Sequence, residues 1–278
     1  MKYEDYKNLL WNRLAIEAKE TYRVLKPGKW LKTGVSKDHI LPLDNDQNTR
    51  QNRAATIKEH LDFDVRMALP DLGGLHQFAH HLNSSQLLCM MFFTPLKEDP
   101  AKLQEFIFNA FGIKLSPNAE CHFEYSQKDD PQYTFQIEGK KKYEGTSFDF
   151  HIIDGDTELF FEIKLTEKGF GKAENNHRHK EKARQYIKLL PYTISKVLDE
   201  DSFLKYYQLY RNVIRANKPC KYVIFITDAN NPATKSELRQ IELSQNIIHK
   251  TWQELATLYP NKIPFQLNAL WNENTPPL

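Results

Sequence analysis

Residues 147–165, SFDFHIIDGDTELFFEIKL, constrain this chain more than any other stretch. Two runs rich in Phe and Ile alternate with polar residues, and Asp154-Gly155 stands between them. That pattern predicts two strands, at 147–153 and 158–165, joined as an antiparallel hairpin. Side chains along a strand point alternately to its two faces. Phe148, Phe150 and Ile152 are therefore expected on one face, with Asp149 and His151 on the other. In the second strand Glu162 and Lys164 share a face, while Phe161, Ile163 and Leu165 share the opposite one. The hairpin thus presents Asp149 beside Glu162 and Lys164, with an apolar back.

Three charged groups flanked by Phe and Ile are costly without compensation. Two carboxylates held close repel each other and shift their pKa values upward. A divalent cation removes the conflict, because hard Mg²⁺ takes one or two carboxylates together with waters and phosphate oxygens. A bound metal lowers the pKa of its water and neutralises charge developing on a phosphoryl group. Lys164 lies roughly 7 Å from Glu162 along the same strand face and can serve as a fixed cation. The residue types match metal-assisted phosphodiester hydrolysis. A cross-strand salt-bridge ladder would use the same residues for about 0.2–1 kcal/mol, but spacing, alternation and flanking context together favour the chemistry.

The rest of the chain supplies a setting. Residues 3–25 read as a helix ending before Pro27-Gly28, and residues 28–70 as irregular and polar. Ser84-Ser85 caps an apolar helix that stops near Pro95, and a second helix follows Asp99-Pro100 with Leu103, Phe106, Ile107 and Phe111 on one face. Cys121–Tyr125 and Tyr133–Ile137 read as strands. Residues 174–190 form a basic helix, and 201–216 a long amphipathic one. The run 221–227, KYVIFIT, is a strand buried on both faces, and helices at 233–244 and 251–258 close the chain. This order indicates an α/β layered core, a mixed central sheet flanked by helices, with an N-terminal helical elaboration. The expected organisation is one domain over 1–278, with the elaboration at 1–98 and the α/β core at 99–278.

Against that background the motif is recognisable. Asp149 followed thirteen residues later by Glu162-Ile163-Lys164 resembles the D…(D/E)-x-K signature of the PD-(D/E)xK, or restriction-endonuclease-like, nuclease superfamily. The lead-in Thr146-Ser147-Phe148-Asp149-Phe150, the continuation Leu165-Thr166-Glu167, Ser84-Ser85-Gln86 and Gln208-Leu-Tyr-Arg211-Asn212 are similar to a bacterial branch of it. The likeness covers roughly residues 80–230, and Phe148 stands where the family usually has Pro. It implies a Mg²⁺-dependent nuclease acting on DNA, with Mn²⁺ able to substitute. Asp149 and Glu162 would bind metal, the carbonyl of Ile163 would join them, and Lys164 would orient water or stabilise charge. A further acid is expected from Glu124, in the strand-like HFEY, in preference to Glu120. Gln208, Arg211 and Asn212, at i, i+3 and i+4, are expected to contact phosphate or the DNA strand. A homodimer is compatible with this reading. The rival is a catalytically inactive nucleic-acid- or partner-binding module on the same fold.

Composition excludes several classes. The formal net charge is +2, from 38 basic and 36 acidic residues, so total charge makes no case for nucleic acid. Local basic clusters remain at Lys140-Lys141-Lys142 and from Lys172 to Arg184, and each alone reads as solvated surface. No apolar run approaches the roughly 18 residues of a membrane span, and the N-terminal residues lack a secretory pattern. Cys89, Cys121 and Cys220 form neither a disulfide framework nor a zinc spacing, which fits a cytoplasmic setting. His151 reads as a hydrogen-bonded histidine, and His177 and His179 as surface. His76 and His80 also read as surface, and Gly169-Phe-Gly171 as a loop. Asp44, Asp46 and Asn48 imitate a calcium loop but lack its glycine.

Overall fold

A computed structural model describes residues 1–126, 134–137, 140–143, 147–190, 198–258, 264 and 267. The chain is a mixed α/β protein with a five-stranded mixed sheet flanked by helices and an N-terminal helix. It divides into two compact units. The first comprises residues 1–118, 227–232 and 251–278, and the second residues 119–226 and 233–250.

The first unit begins with α1 (Tyr3–Glu20), where Tyr6, Leu10, Leu14 and Ala18 recur every four residues and are buried. It ends earlier than the expected 25, and Arg23 turns left-handed at φ 54°. A short hairpin follows, β1 (Gly28–Lys29) and β2 (Ser36–Lys37). The supposedly irregular segment 28–70 also contains α2 (Arg50–Leu61), capped by Thr49 accepting the Asn52 N–H. Its inner face carries Arg53 and Thr56 beside Ala54, Ile57 and Leu61, which hides the usual apolar period. Arg53 is buried by donating to the carbonyls of Leu75 and Asn48, each at 3.1 Å. Next come α3 (Ser85–Lys97), capped by Ser84 and running through Pro95, and α4 (Pro100–Phe111), capped by Asp99. The compact grouping places α4 with these N-terminal elements.

The second unit carries the sheet. Its strands are β3 (Glu120–Ser126), β6 (Ser147–Asp154), β7 (Thr157–Ile163), β8 (Lys221–Thr227) and β9 (Ile247–Thr251), adjacent in that order. Between β3 and β6 in sequence lie β4 (Thr134–Ile137) and β5 (Lys140–Tyr143), a separate antiparallel ribbon. Tyr133, Thr146 and the side chains of Lys140, Lys141 and Lys142 fall outside the described residues. The expected hairpin is present: β6 and β7 pair antiparallel, and Gly155, at φ 58°, sits in the two-residue turn between Asp154 and Thr157. Strand β8 pairs parallel to β7, and its last five residues are buried. The edge strand β9, only five residues long, was not anticipated.

Helix α5 (His177–Ile187) occupies the basic segment. The expected long helix at 201–216 is instead two, α6 (Glu200–Lys205) and α7 (Tyr207–Val213). The break falls at Tyr206, with φ −120° and ψ 41°, because the Gln208 N–H leaves the helical ladder for the carbonyl of Gly171. The chain closes with α8 (Pro232–Leu238) and α9 (Trp252–Thr257). One face of the sheet packs Phe160, Val223 and Phe225 with Phe170, Ala183, Tyr186, Phe203, Leu209 and Val213.

Strict alternation fails at one place. Phe148 packs with Phe160, their centroids 5.0 Å apart, whereas Phe150 packs with Phe123 and Phe161 at 4.9 and 5.6 Å. The two phenylalanines were expected on one face. Directly opposite Asp149 on β3, Glu124 adopts φ 50°, and pairing is interrupted there. This left-handed residue also lets Tyr125 stack on His151 at 4.5 Å.

Candidate active site

The irregularity coincides with the acids. At Asp149 the β6–β7 ladder gives way, and Asp149 Oδ2 accepts the backbone N–H of Ile163 at 2.7 Å. This fixes one carboxylate at the end of β7 beside Glu162 and Lys164. Glu162 is 1% exposed yet ringed by donors. Lys164 Nζ and Gln208 Nε2 both donate to its Oε1, the latter at 2.9 Å, and Asn212 Nδ2 donates to its Oε2 at 3.0 Å. Charge-assisted bonds of this kind are stronger than neutral ones and fix the carboxylate plane.

The electrostatics are opposed by design of the strands. Burial and the charge of Glu162 push the Asp149 carboxyl well above its ordinary range, with Glu124 adding to the effect and Lys164 opposing it. For Lys164, burial alone would lower the pKa, but Glu162, Asp149 and Glu167 outweigh it and raise the ammonium above its usual value. The lysine is therefore a permanent cation at neutral pH. Its ammonium lies 5.9 Å from the ring centroid of Phe170.

The other anticipated residues are distributed unequally. Glu124 accepts from Ser147 Oγ at 3.4 Å and contributes to the field at Asp149. Glu120 instead pairs with His122 at 3.5 Å, its side chain largely exposed. Ile163 has a fully buried side chain, and its N–H is taken by Asp149. Gln208 and Asn212 reach Glu162, whereas Arg211 turns to Tyr186 and Tyr207, 5.3 and 5.1 Å from their centroids. The three residues thus do not present one common surface. His151 is buried, with Nε2 3.1 Å from Glu158 Oε2, in agreement with the hydrogen-bonded reading. Glu158 is held down to about 2: burial would raise it, but bonds from His151 and Lys221 prevail.

One sequence expectation needs correction here: His80 is fully buried rather than on the surface, in a run of turns that follows Gly73-Gly74. Part of the basic stretch is neutralised locally: Lys180 pairs with Asp201 at 2.9 Å and Arg184 with Glu200 at 2.8 Å. Sequence reasoning also missed Glu237, which accepts the Phe170 N–H at 2.7 Å. Its signal was the pair of glycines flanking Phe170, read only as a loop.

A family model described as Restriction Endonuclease associating with ARP matches residues 12–273. The chain belongs to this family. The match carries the whole constellation from Glu124 to Asn212 and extends well beyond the 80–230 seen in the motif resemblance. The N-terminal unit of this restriction-endonuclease family member is thus part of the family pattern from residue 12 onward. No curated protein and no solved structure matches the chain. No described helix is long and apolar enough to cross a membrane.

Proposed function

We propose that this protein is a divalent-metal-dependent nuclease that hydrolyses DNA phosphodiester bonds at Asp149, Glu162 and Lys164. Membership in a restriction-endonuclease family suggests a nuclease and implies interaction with DNA. The observation that carries the finer reading is the conflict at Asp149, whose carboxyl is driven up by burial and by Glu162. Among the described residues, no group of three or more His, Cys, Asp or Glu side chains is placed to hold a metal. The donor set fits a hard cation nonetheless, because Mg²⁺ needs only one or two protein carboxylates and completes its shell with water and phosphate. Asp149 and Glu162 would hold it, with the Ile163 carbonyl and Glu124 alongside, and Mn²⁺ would substitute. When bound, the ion would supply a water of lowered pKa and charge neutralisation at the phosphoryl oxygens.

The remaining roles belong to the chain. Asp149 is held at the end of β7 by the Ile163 N–H, which leaves its Oδ1 as the oxygen that would face the ion. Gln208, Asn212 and Lys164 hold the Glu162 carboxylate in one orientation, which suits a ligand that must keep its geometry. Lys164, fixed as a cation, faces the scissile phosphate or the attacking water. The test pairs Mn²⁺ calorimetry with nicking of supercoiled DNA. Wild-type protein should bind Mn²⁺ and nick, and both should vanish in Asp149→Asn. DNA binding without metal affinity or cleavage would instead establish the inactive binding module. A panel of single-stranded, duplex and branched DNA with RNA defines the substrate.

A further inference from the structure

The turn Gly169-Phe170-Gly171 follows the motif strand, with both glycines in the left-handed half of φ space, at 103° and 113°. A side chain at 169 would displace Glu237, and one at 171 would crowd Gln208. A Cβ at residue 169 would lie 2.0 Å from Glu237 Oε1, and one at 171 would lie 3.3 Å from Gln208 Oε1. On one side of the turn, Glu237 of α8 accepts the Phe170 N–H at 2.7 Å. On the other, the Gln208 N–H donates to the Gly171 carbonyl at 3.3 Å, and the Ala173 N–H donates to the Leu204 carbonyl at 2.9 Å. The Phe170 ring is 1% exposed, edge-on to Phe225 at 5.1 Å, and carries the Lys164 ammonium near its face.

One short turn therefore touches both donors that converge on Glu162 Oε1. It meets Lys164 through the Phe170 ring and Gln208 through the Gly171 carbonyl. We propose that Glu237 is a positioning residue of the hydrolytic site: by clamping the Phe170 N–H it holds Lys164 and Gln208 in register on Glu162. This rests on reading Asp149, Glu162 and Lys164 as that site. Glu237 touches neither substrate nor metal in this role. A carboxylate accepting a backbone N–H makes a short, strong bond, which suits a clamp on a glycine-flanked turn that has no regular structure of its own.

The decisive comparison is Glu237→Ala with Glu237→Gln, each in the full chain, with Asp149→Asn as reference. Residues that orient ligating side chains typically affect metal affinity or activity by about 10–100-fold. E237A is expected to lower kcat for Mn²⁺-dependent DNA cleavage within that range, with KM for DNA unchanged, the pattern of a group acting on the reacting geometry. Mn²⁺ affinity measured calorimetrically without DNA should weaken by about tenfold. E237Q keeps an acceptor oxygen for the Phe170 N–H and should recover most of both. Should E237A lose its cooperative melt, Phe170→Leu decides on the same readouts, since it removes the ring beneath Lys164 while filling the core. A folded E237A with parental kcat and Mn²⁺ affinity overturns the inference. If Asp149→Asn still binds Mn²⁺ and cleaves, the underlying function falls instead, and the two failures are distinguishable.

Discussion

Two buried polar clusters in this protein behave in opposite ways. In the first unit, His39, His80 and His81 lie among Trp11, Trp30 and Phe78, with Trp11 stacked on His39 at 4.3 Å and His80 on edge to His81 at 4.6 Å. Burial lowers these rings to about 4, 4 and 3, so they stay neutral. Neither ring nitrogen of His80 has a protein hydrogen-bond partner among the described residues. In the second unit, Asp149, Glu162 and Lys164 are also sheltered, but each is held by specific donors or opposite charge. A buried imidazole escapes desolvation by shedding its proton. A carboxylate pair locked on adjacent strands has the matching exit, gaining a proton, but the Lys164 cation beside it opposes that exit. Burial alone therefore does not mark a functional site. The mark is burial combined with charges that the fold forces together.

The contrast can be broken most sharply at Asp149. Replacing it with Asn should abolish Mn²⁺ binding and reduce DNA cleavage by ~1000-fold or more, the scale of several kcal/mol of lost transition-state stabilisation. The same acid gives a pH signature. Because its folded carboxyl is raised, protons compete with the metal for it, so apparent Mn²⁺ affinity should fall as pH is lowered. Calorimetry across a pH series would show the decline; an Mn²⁺ affinity independent of pH would count against Asp149 as a ligand.

Lys164→Met comes next. It leaves Glu162 buried without its cation, and removing one partner of a buried pair costs about 3–5 kcal/mol. Urea unfolding should show the loss, and saturating Mn²⁺ should restore part of it. For the histidine cluster the sign is the reverse of an acid-stabilised fold. The folded pKa values lie below the unfolded 6.5, so the stabilisation is complete above pH 6.5 and is lost as pH falls toward 4 and 3. A loss on the order of 2 kcal/mol for each ring between pH 7 and 4.5 should appear in the thermal midpoint, with fluorescence of Trp11 and Trp30 reporting the change. The smallest effect is expected from His80→Leu. Replacing a buried ring that lacks protein partners with an apolar side chain should shift stability by less than about 1 kcal/mol and flatten the acid transition.

Much of the sheet-bearing unit was readable in advance because strands declare themselves. The hairpin turn at Asp154-Gly155, the pairing of β6 with β7 and the buried β8 all follow from short-period hydropathy and one glycine. The meeting of Asp149 with Glu162 followed too, but strict alternation concealed how it is achieved. The left-handed turn at Glu124 and the flipped Phe148 belong to a cross-strand irregularity that no single strand encodes. Helix α2 was hidden by Arg53, whose burial depends on carbonyls far along the chain. The split between α6 and α7 was equally hidden, since a carbonyl of the 169–171 turn competes for the Gln208 N–H. For Gln208 and Asn212 nothing in the sequence signals that their amides reach Glu162 while Arg211 turns to Tyr186 and Tyr207, because that depends on how the helix sits on the sheet.

The parallel pairing of β7 with β8 sets an order of assembly. The acids are joined through a two-residue turn, and hairpins close in about 1–10 μs. Gln208 and Asn212 ride on the long crossover to β8, whose closure is entropically costly and slow. During refolding, Asp149 and Glu162 are therefore expected to meet before the Gln208 and Asn212 amides reach Glu162, with the Ile163 N–H and Lys164 the partners already at hand on the hairpin.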